Sequence, residues 1–220
     1  MADIYINEAA VGSAQKWVTL AGKERLDRTV AALRDRGVQA EISTNRANAL
    51  ARLHELIPAG SSLMTGASVT LKEIGFESEL MAGNHPWNWL KPAILAEKDP
   101  QRQQDLRRHS SISDCFVGSV QAVTEAGEIV VASGSGSQIA AYAYSSSRVI
   151  WVVGVQKNVP DLESAFRRVR EWCVPKMEEL TRASGRPDLG VVGKLLVFER
   201  EMAHLSRNVH LILVDDMLGF

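Results

Sequence analysis

Two short runs in this sequence combine glycine with hydroxyl side chains, a mixture suited to holding anions. Ser133, Gly134, Ser135, Gly136 and Ser137 follow an apolar stretch and precede a helical pattern. Glycines let backbone amides converge, and the start of a helix adds partial positive charge, so such a turn can hold a phosphate or a carboxylate. A tight turn with a serine cap would use the same residues. The run is not a nucleotide fingerprint, because the P-loop lysine and the GxGxxG spacing are both missing. Thr65, Gly66, Ala67 and Ser68 form a second turn of this kind, again just past a strand pattern and just before a helical one. Two such turns in one α/β sheet would lie at the carboxyl ends of strands, where open sheets bind ligands.

Other candidates flank these turns. Gly118 opens a connection that leads to Glu125 and joins the turns as a ligand-binding candidate. Glu125 could act as a general base or nucleophile if it is desolvated, since burial raises a carboxyl pKa. Its alternative is an ordinary solvent-exposed turn glutamate. Lys157 stands just past the apolar run Val149 to Gly154 and can reach an anion at the same strand ends; Lys194 could do so too, or lie on the surface. The histidines show no HExxH spacing, so no metal site is expected. Cys115, in an apolar strand, and Cys173, on an apolar helix face, read as packing residues.

The elements that must position these groups follow from periodicity. Trp17, Leu20, Leu26, Val30 and Leu33 recur at mostly helical spacing and predict one long helix from Ser13 to Arg36, stopped by Gly37. Val38 to Ser43 alternates like a strand, Arg46 to Ile57 is helical, and Ser62 to Met64 is a second strand. Strand, helix and strand in tight succession predict a parallel pair. Residues 69–92 are broken by Gly75, Gly83 and Pro86 and suggest a lid or an interface. Beyond a polar helix at 97–108, strands are predicted at 114–117, 128–132, 148–153, 193–198 and 209–214, with helices at 138–146 and 161–173. Asp161 caps the last helix, and Leu162, Ala165, Phe166, Val169 and Trp172 form its inward stripe.

Composition narrows the function classes. The 220 residues suit one domain, 14–220, after a tail at 1–13. With 25 Lys plus Arg against 26 Asp plus Glu the formal charge is -1, which argues against nucleic acid as the main partner. The amino terminus lacks the basic and apolar segments of a secretory signal. The longest apolar stretch, Val149 to Val155, falls far short of the ~20 residues that cross a bilayer. The expected location is the cytoplasm. Two cysteines cannot build a disulfide framework, a four-cysteine zinc site or a cysteine-ligated iron-sulfur cluster within the chain.

Three runs together carry a resemblance. The stretch from Asp114 to Gln138, the run Val149 to Lys157 and the closing Ile212 to Phe220 resemble the LUD domain, the lactate-utilisation protein C family. Thr65 to Gly75 is similar to that family's first motif, and the motifs keep the family order across residues 14–220. Asp215, Asp216 and Met217 depart from the closing motif, where glycine and glutamate are commoner. The resemblance implies a Rossmann-like three-layer α/β fold of the NagB/RpiA/CoA transferase type, with a mostly parallel sheet and an N-terminal helical extension. It also implies an accessory role in iron-sulfur-dependent oxidation of L-lactate to pyruvate. The cluster would sit on a partner subunit, and this chain would bind no cofactor itself. Carried over by motif, Thr65 to Ser68 form the first cleft loop, Ser133 to Ser137 the second, Glu125 falls in the Thr-Glu-x-Gly turn, and Lys157 follows the third strand. The alternative is a stand-alone enzyme or binding module for a small phosphorylated, carboxylated or coenzyme A-linked metabolite. Assembly into a homo-oligomer stays open.

Overall fold

The computed structural model describes residues 15–185 and 190–220; the expected tail at 1–13 lies outside the described residues. In chain order the elements are α1 (Lys23–Asp35), β1 (Gln39–Ser43), α2 (Arg46–Leu56), β2 (Ser62–Thr65), α3 (Val69–Glu73), α4 (Phe76–Ala82), β3 (Asn88–Trp89), α5 (Lys91–Ala96), α6 (Pro100–His109) and β4 (Cys115–Gly118). They continue with β5 (Ala122–Thr124), β6 (Ile129–Ser133), α7 (Ser137–Ala140), β7 (Arg148–Gly154), β8 (Asn158–Val159), α8 (Leu162–Arg168), α9 (Val174–Ala183), β9 (Lys194–Phe198) and β10 (Asn208–Val214). α7 widens into a π turn at Ala141–Ser145, and α8 into another at Val169–Cys173.

The large sheet has six strands in the order β1-β10-β7-β4-β2-β3, all parallel. Parallel strands point their carboxyl ends to one edge, so Thr65, Gly118, Gly154 and Val214 leave the sheet on the same side. Its two longest strands read as continuous apolar runs because both faces are covered. In β7, Val149, Trp151 and Val153 enter one core, while Ile150 and Val152 enter the other. β10 divides the same way, with Val209, Leu211 and Leu213 against Ile212 and Val214.

One face carries α2, α3 and α4 through Ala49, Leu53, Leu71, Phe76 and Leu80. Asn45 caps α2 by accepting from the Asn48 amide at 2.9 Å. The segment 69–92, expected as a lid or an interface, packs on this face of the sheet and is no mobile lid. Trp87 is buried, its Nε1 donates to the Ile57 carbonyl at 3.1 Å, and β3 extends the sheet beside β2. An indole sealed under a helix stabilises by leaving water, which a mobile lid could not use.

The other face carries α1, α7 and a second, smaller sheet of order β8-β5-β6-β9. Ile129 and Val131 of β6 face the large sheet, and Val130 faces outward toward Ala165 and Val169 of α8 and its π turn. Within the described residues the expected long helix is broken: the chain leaves helical geometry after Gln15, and a separate helix runs from Lys23 with Gly22 as its N-cap. Trp17 explains the break, because it is buried in the outer cluster with Val130 and Val159, on the far side of the small sheet from the α1 residues Leu26, Val30 and Leu33. One straight helix cannot serve both cores.

The π turn after α7 ends on Arg207. Its guanidinium donates to the carbonyls of Ala141 (3.1 Å), Tyr142 (3.0 Å), Ala143 (3.0 Å) and Ser146 (3.1 Å), at the end of the helix where carbonyls run short of backbone donors. It also pairs with buried Glu201 at 3.0 Å.

Candidate anion-binding site

Loops leaving β2, β4 and β7 meet around one amino group. Lys157 Nζ donates to Thr70 Oγ1 at 3.0 Å and to Ser119 Oγ at 3.2 Å, and the residue is 2% exposed. Thr70 is placed by the Thr65 to Ser68 loop, since the Ser68 hydroxyl accepts from the Leu71 amide at 3.2 Å and starts α3 there. Thr65 sits beside Val117 in the sheet, and its hydroxyl accepts from Trp89 Nε1 at 3.3 Å. Gly118 is beside Trp151, and a side chain there would strike the Tyr142 hydroxyl, so this glycine admits α7 against the strand end.

The segment after β10 covers the amine. Gln156 holds it: Nε2 donates to the Leu218 carbonyl at 2.9 Å and to that of Gly219 at 3.3 Å, and Oε1 accepts from the Leu218 amide at 3.3 Å. Thr70 Oγ1 donates to the Leu218 carbonyl at 3.4 Å, and Glu73 Oε2 accepts from the Gly219 amide at 2.6 Å. Gly219 has φ 59°, and a Cβ there would lie 2.6 Å from Thr70 Oγ1 and 3.3 Å from Lys157 Nζ. Only glycine lets this strap pass so close.

Arg168 enters from the outer layer and is wholly buried. Nη1 donates to the Gln121 carbonyl at 2.6 Å and to Cys173 Sγ at 3.2 Å, while Nε and Nη2 have no partner. Residues 168 and 173 are five apart and meet because the helix widens into a π turn between them, a distortion frequent at functional sites. Burial pushes the Lys157 ammonium down to about 7, and repulsion from Arg168 acts in the same direction. Burial also lowers the Arg168 pKa. Among the described residues neither cation has a carboxylate within ion-pair distance. Removing charge from water without a counter-ion is costly, so the arrangement favours an anion. A guanidinium offers paired donors to a carboxylate, and a lysine that is half neutral near pH 7 can act as a base or nucleophile.

The Ser133 to Ser137 turn follows Ala132, whose amide donates to Gln121 Oε1 at 2.7 Å. Its hydroxyls are engaged within the turn: Ser133 Oγ accepts from the Gly136 amide at 2.9 Å and bonds Gln138 Oε1 at 3.0 Å, and Ser135 Oγ bonds Ser137 Oγ at 3.1 Å. The Lys194 stem lies against Gly136. The Gly134 carbonyl closely approaches Gly193. Glu125 stands past β5, where its carboxylate meets Arg25 at 2.9 Å and Arg28 at 3.2 Å. Thr70, Ser119, Gln156 and Arg168 are the participants that sequence reasoning did not select. For Arg168 a signal exists, because it follows Ala165 by three residues and so shares the inward stripe of its helix. Among the described residues no three His, Cys, Asp or Glu side chains gather as a metal site, and no helix is long and apolar enough to cross a membrane.

A LUD domain model matches residues 26–188. The chain belongs to the LUD domain family. At the family level this makes it a lactate-utilisation-related protein. A crystal structure of a DUF162 family protein from Deinococcus radiodurans is similar with a TM-score of 0.53 at 10% identity, covering 89% of this chain and 98% of that one. At that identity the likeness concerns the fold, and it supports a Rossmann-like three-layer architecture for this LUD protein. No curated protein matches the sequence. The matched stretch stops before β9 and β10, although β10 supplies a central strand and the strap that covers Lys157.

Proposed function

We propose that this LUD protein serves L-lactate oxidation by holding a small carboxylate, lactate or its 2-oxo product, at Lys157 and Arg168. The observation that carries the reading is the pair of buried cations without a carboxylate partner at the ends of the parallel strands. Oxidation of lactate to pyruvate removes two electrons and two protons, and this chain's thiols do not suit a cluster that would take them. Cys115 and Cys173 are both buried, and two thiolates are short of the four that such a cluster needs. The electrons therefore pass to an iron-sulfur partner subunit, and this chain contributes the site that selects and holds the acid. Neither Ser133 to Ser137 nor Glu125 has to touch the ligand in this reading. The turn's hydroxyls are spent within the turn, and Glu125 ties β5 to α1.

A thermal-shift series with L-lactate, pyruvate and inorganic phosphate tests this. A ligand at a hundred times its Kd stabilises by about 2.7 kcal/mol, a readable shift for a domain of this size. Stabilisation by lactate or pyruvate that exceeds that by phosphate supports the reading. Stabilisation by phosphate alone favours the stand-alone enzyme or binding module for phosphorylated metabolites, and no shift with any of the three removes the anion site.

A further inference from the structure

We infer that Lys157 is an amine nucleophile that condenses with the carbonyl carbon of a 2-oxo carboxylate, an inference that rests on the carboxylate site proposed above. Both groups are held on one connection, Lys157 by the Ser119 hydroxyl and Arg168 by the Gln121 carbonyl two residues on. Arg168 keeps Nε and Nη2 unpartnered, suited to a carboxylate, while Lys157 Nζ is held between Thr70 Oγ1 and Ser119 Oγ at the strand ends. In a 2-oxo acid the carbonyl carbon is bonded to the carboxylate carbon. A guanidinium that fixes the carboxylate therefore brings that carbon toward an amine held on the same connection.

An amine attacks only when it is unprotonated. Burial and the repulsion of Arg168 supply that condition, with Cys173 and the exposed Glu73 acting weakly the other way. A desolvated lysine beside a second cation is a known route to an activated amine. In the step, the Nζ lone pair forms the C–N bond, the nitrogen passes one proton to the carbonyl oxygen to give the hydroxyl of a carbinolamine, and that hydroxyl leaves with the second nitrogen proton as water, so that the nitrogen lone pair closes the C=N bond of the imine. No oxidant or reductant is consumed. Thr70 and Ser119 are the hydroxyls placed to pass the protons. Because Leu218 and Gly219 cover the amine, the strap must lift before the keto acid enters.

Borohydride trapping tests the inference on the intact protein. Pyruvate is added with sodium cyanoborohydride, which delivers hydride to an imine carbon and makes the bond permanent, and the product is mapped by peptide mass spectrometry. The other lysines of the chain are not buried, so they serve as an internal control for adventitious labelling. The expected result is one adduct per chain on Lys157, absent with L-lactate, which has no carbonyl, and lost in Lys157→Arg, which keeps the cation without the nucleophile. Labelling spread over the exposed lysines, or none, overturns the inference. If pyruvate and lactate still shift the melting curve in that case, the carboxylate site stands without the imine; if neither does, both readings fall.

Discussion

Lys157 and Arg168 are both buried and both hydrogen-bond to the connection after β4, at Ser119 and Gln121, and the partners they have are hydroxyls, a carbonyl and a thiol. A protein optimised for stability would place a carboxylate or an apolar side chain there. Keeping two cations unanswered is a burden that a ligand relieves, and it makes function and stability oppose each other at these positions.

Replacing the lysine separates the two effects. Lys157→Met removes a buried amine and keeps most of its volume, and such exchanges are often neutral or stabilising by ~1–4 kcal/mol. The expected outcome is an unchanged or higher melting temperature without ligand, and loss of the shift produced by lactate or pyruvate. A melting temperature lowered by several degrees would make the amine a structural group instead.

The same lysine gives stability a pH dependence. Its folded pKa is about 7, below its ordinary value of ~10.4, so between these the unfolded chain binds more protons and stability rises with pH. From pH 7 to 8.5 the gain is about 2 kcal/mol. Above ~8.5 Cys115 and Cys173 oppose it, because burial raises both thiols and the unfolded chain releases their protons first. Denaturant unfolding at pH 6.5, 7.5 and 8.5 should show the rise in the natural sequence, and Lys157→Met should lack it.

Gly219→Ala reports on the strap. A Cβ at 2.6 Å from Thr70 Oγ1 cannot be accommodated in place, and φ 59° adds strain of about 1 kcal/mol. Hydrogen exchange at the amides of Leu218 and Gly219's neighbours should accelerate at least several-fold. Unchanged exchange would show that the strap is not pinned at this point.

Arg207 supports the fold away from the site. Removing one member of a buried ion pair strands the other, and Arg207→Ala should destabilise by ~3–5 kcal/mol, leaving Glu201 without its cation and taking a donor from four carbonyls at the helix end. Removing both partners, in Glu201→Gln with Arg207→Met, should cost less than the sum of the single changes. Urea unfolding of the four proteins measures the difference.

Both thiols should be silent in the native protein. Burial pushes the Cys115 thiol up to about 12 and raises that of Cys173 as well. A chromogenic disulfide reagent at pH 8 should count no reactive thiol before unfolding and two after it.

Much of this arrangement is legible in the amino-acid sequence for a physical reason. Val149 to Gly154 is apolar throughout because β7 is covered on both faces, and Lys157 stands out by following it. Thr65 to Ser68 stands out because a strand must turn into a helix there. Arg168 is harder to see, since its meaning depends on a π turn that no residue pattern announces and on Gln121, 47 residues away. β5 is three residues long, too short for alternation to show, and it is recognised only by its pairing with β6 and β8. The strap is invisible for the same kind of reason, because Leu218 and Gly219 acquire their role from Gln156 and Thr70 across the fold.

The place of β10 has a consequence for how the chain is made. β1 touches the large sheet only through β10, which itself lies between β1 and β7. Gln39 is paired in register with His210. At ribosomal speeds of ~5–20 residues per second, β1 waits on the order of ten to thirty seconds for the strand that completes its hydrogen bonds. During that interval its amides and the apolar side of α1 are open to the cell, so this family member should depend on chaperones during synthesis more than its compact finished form suggests.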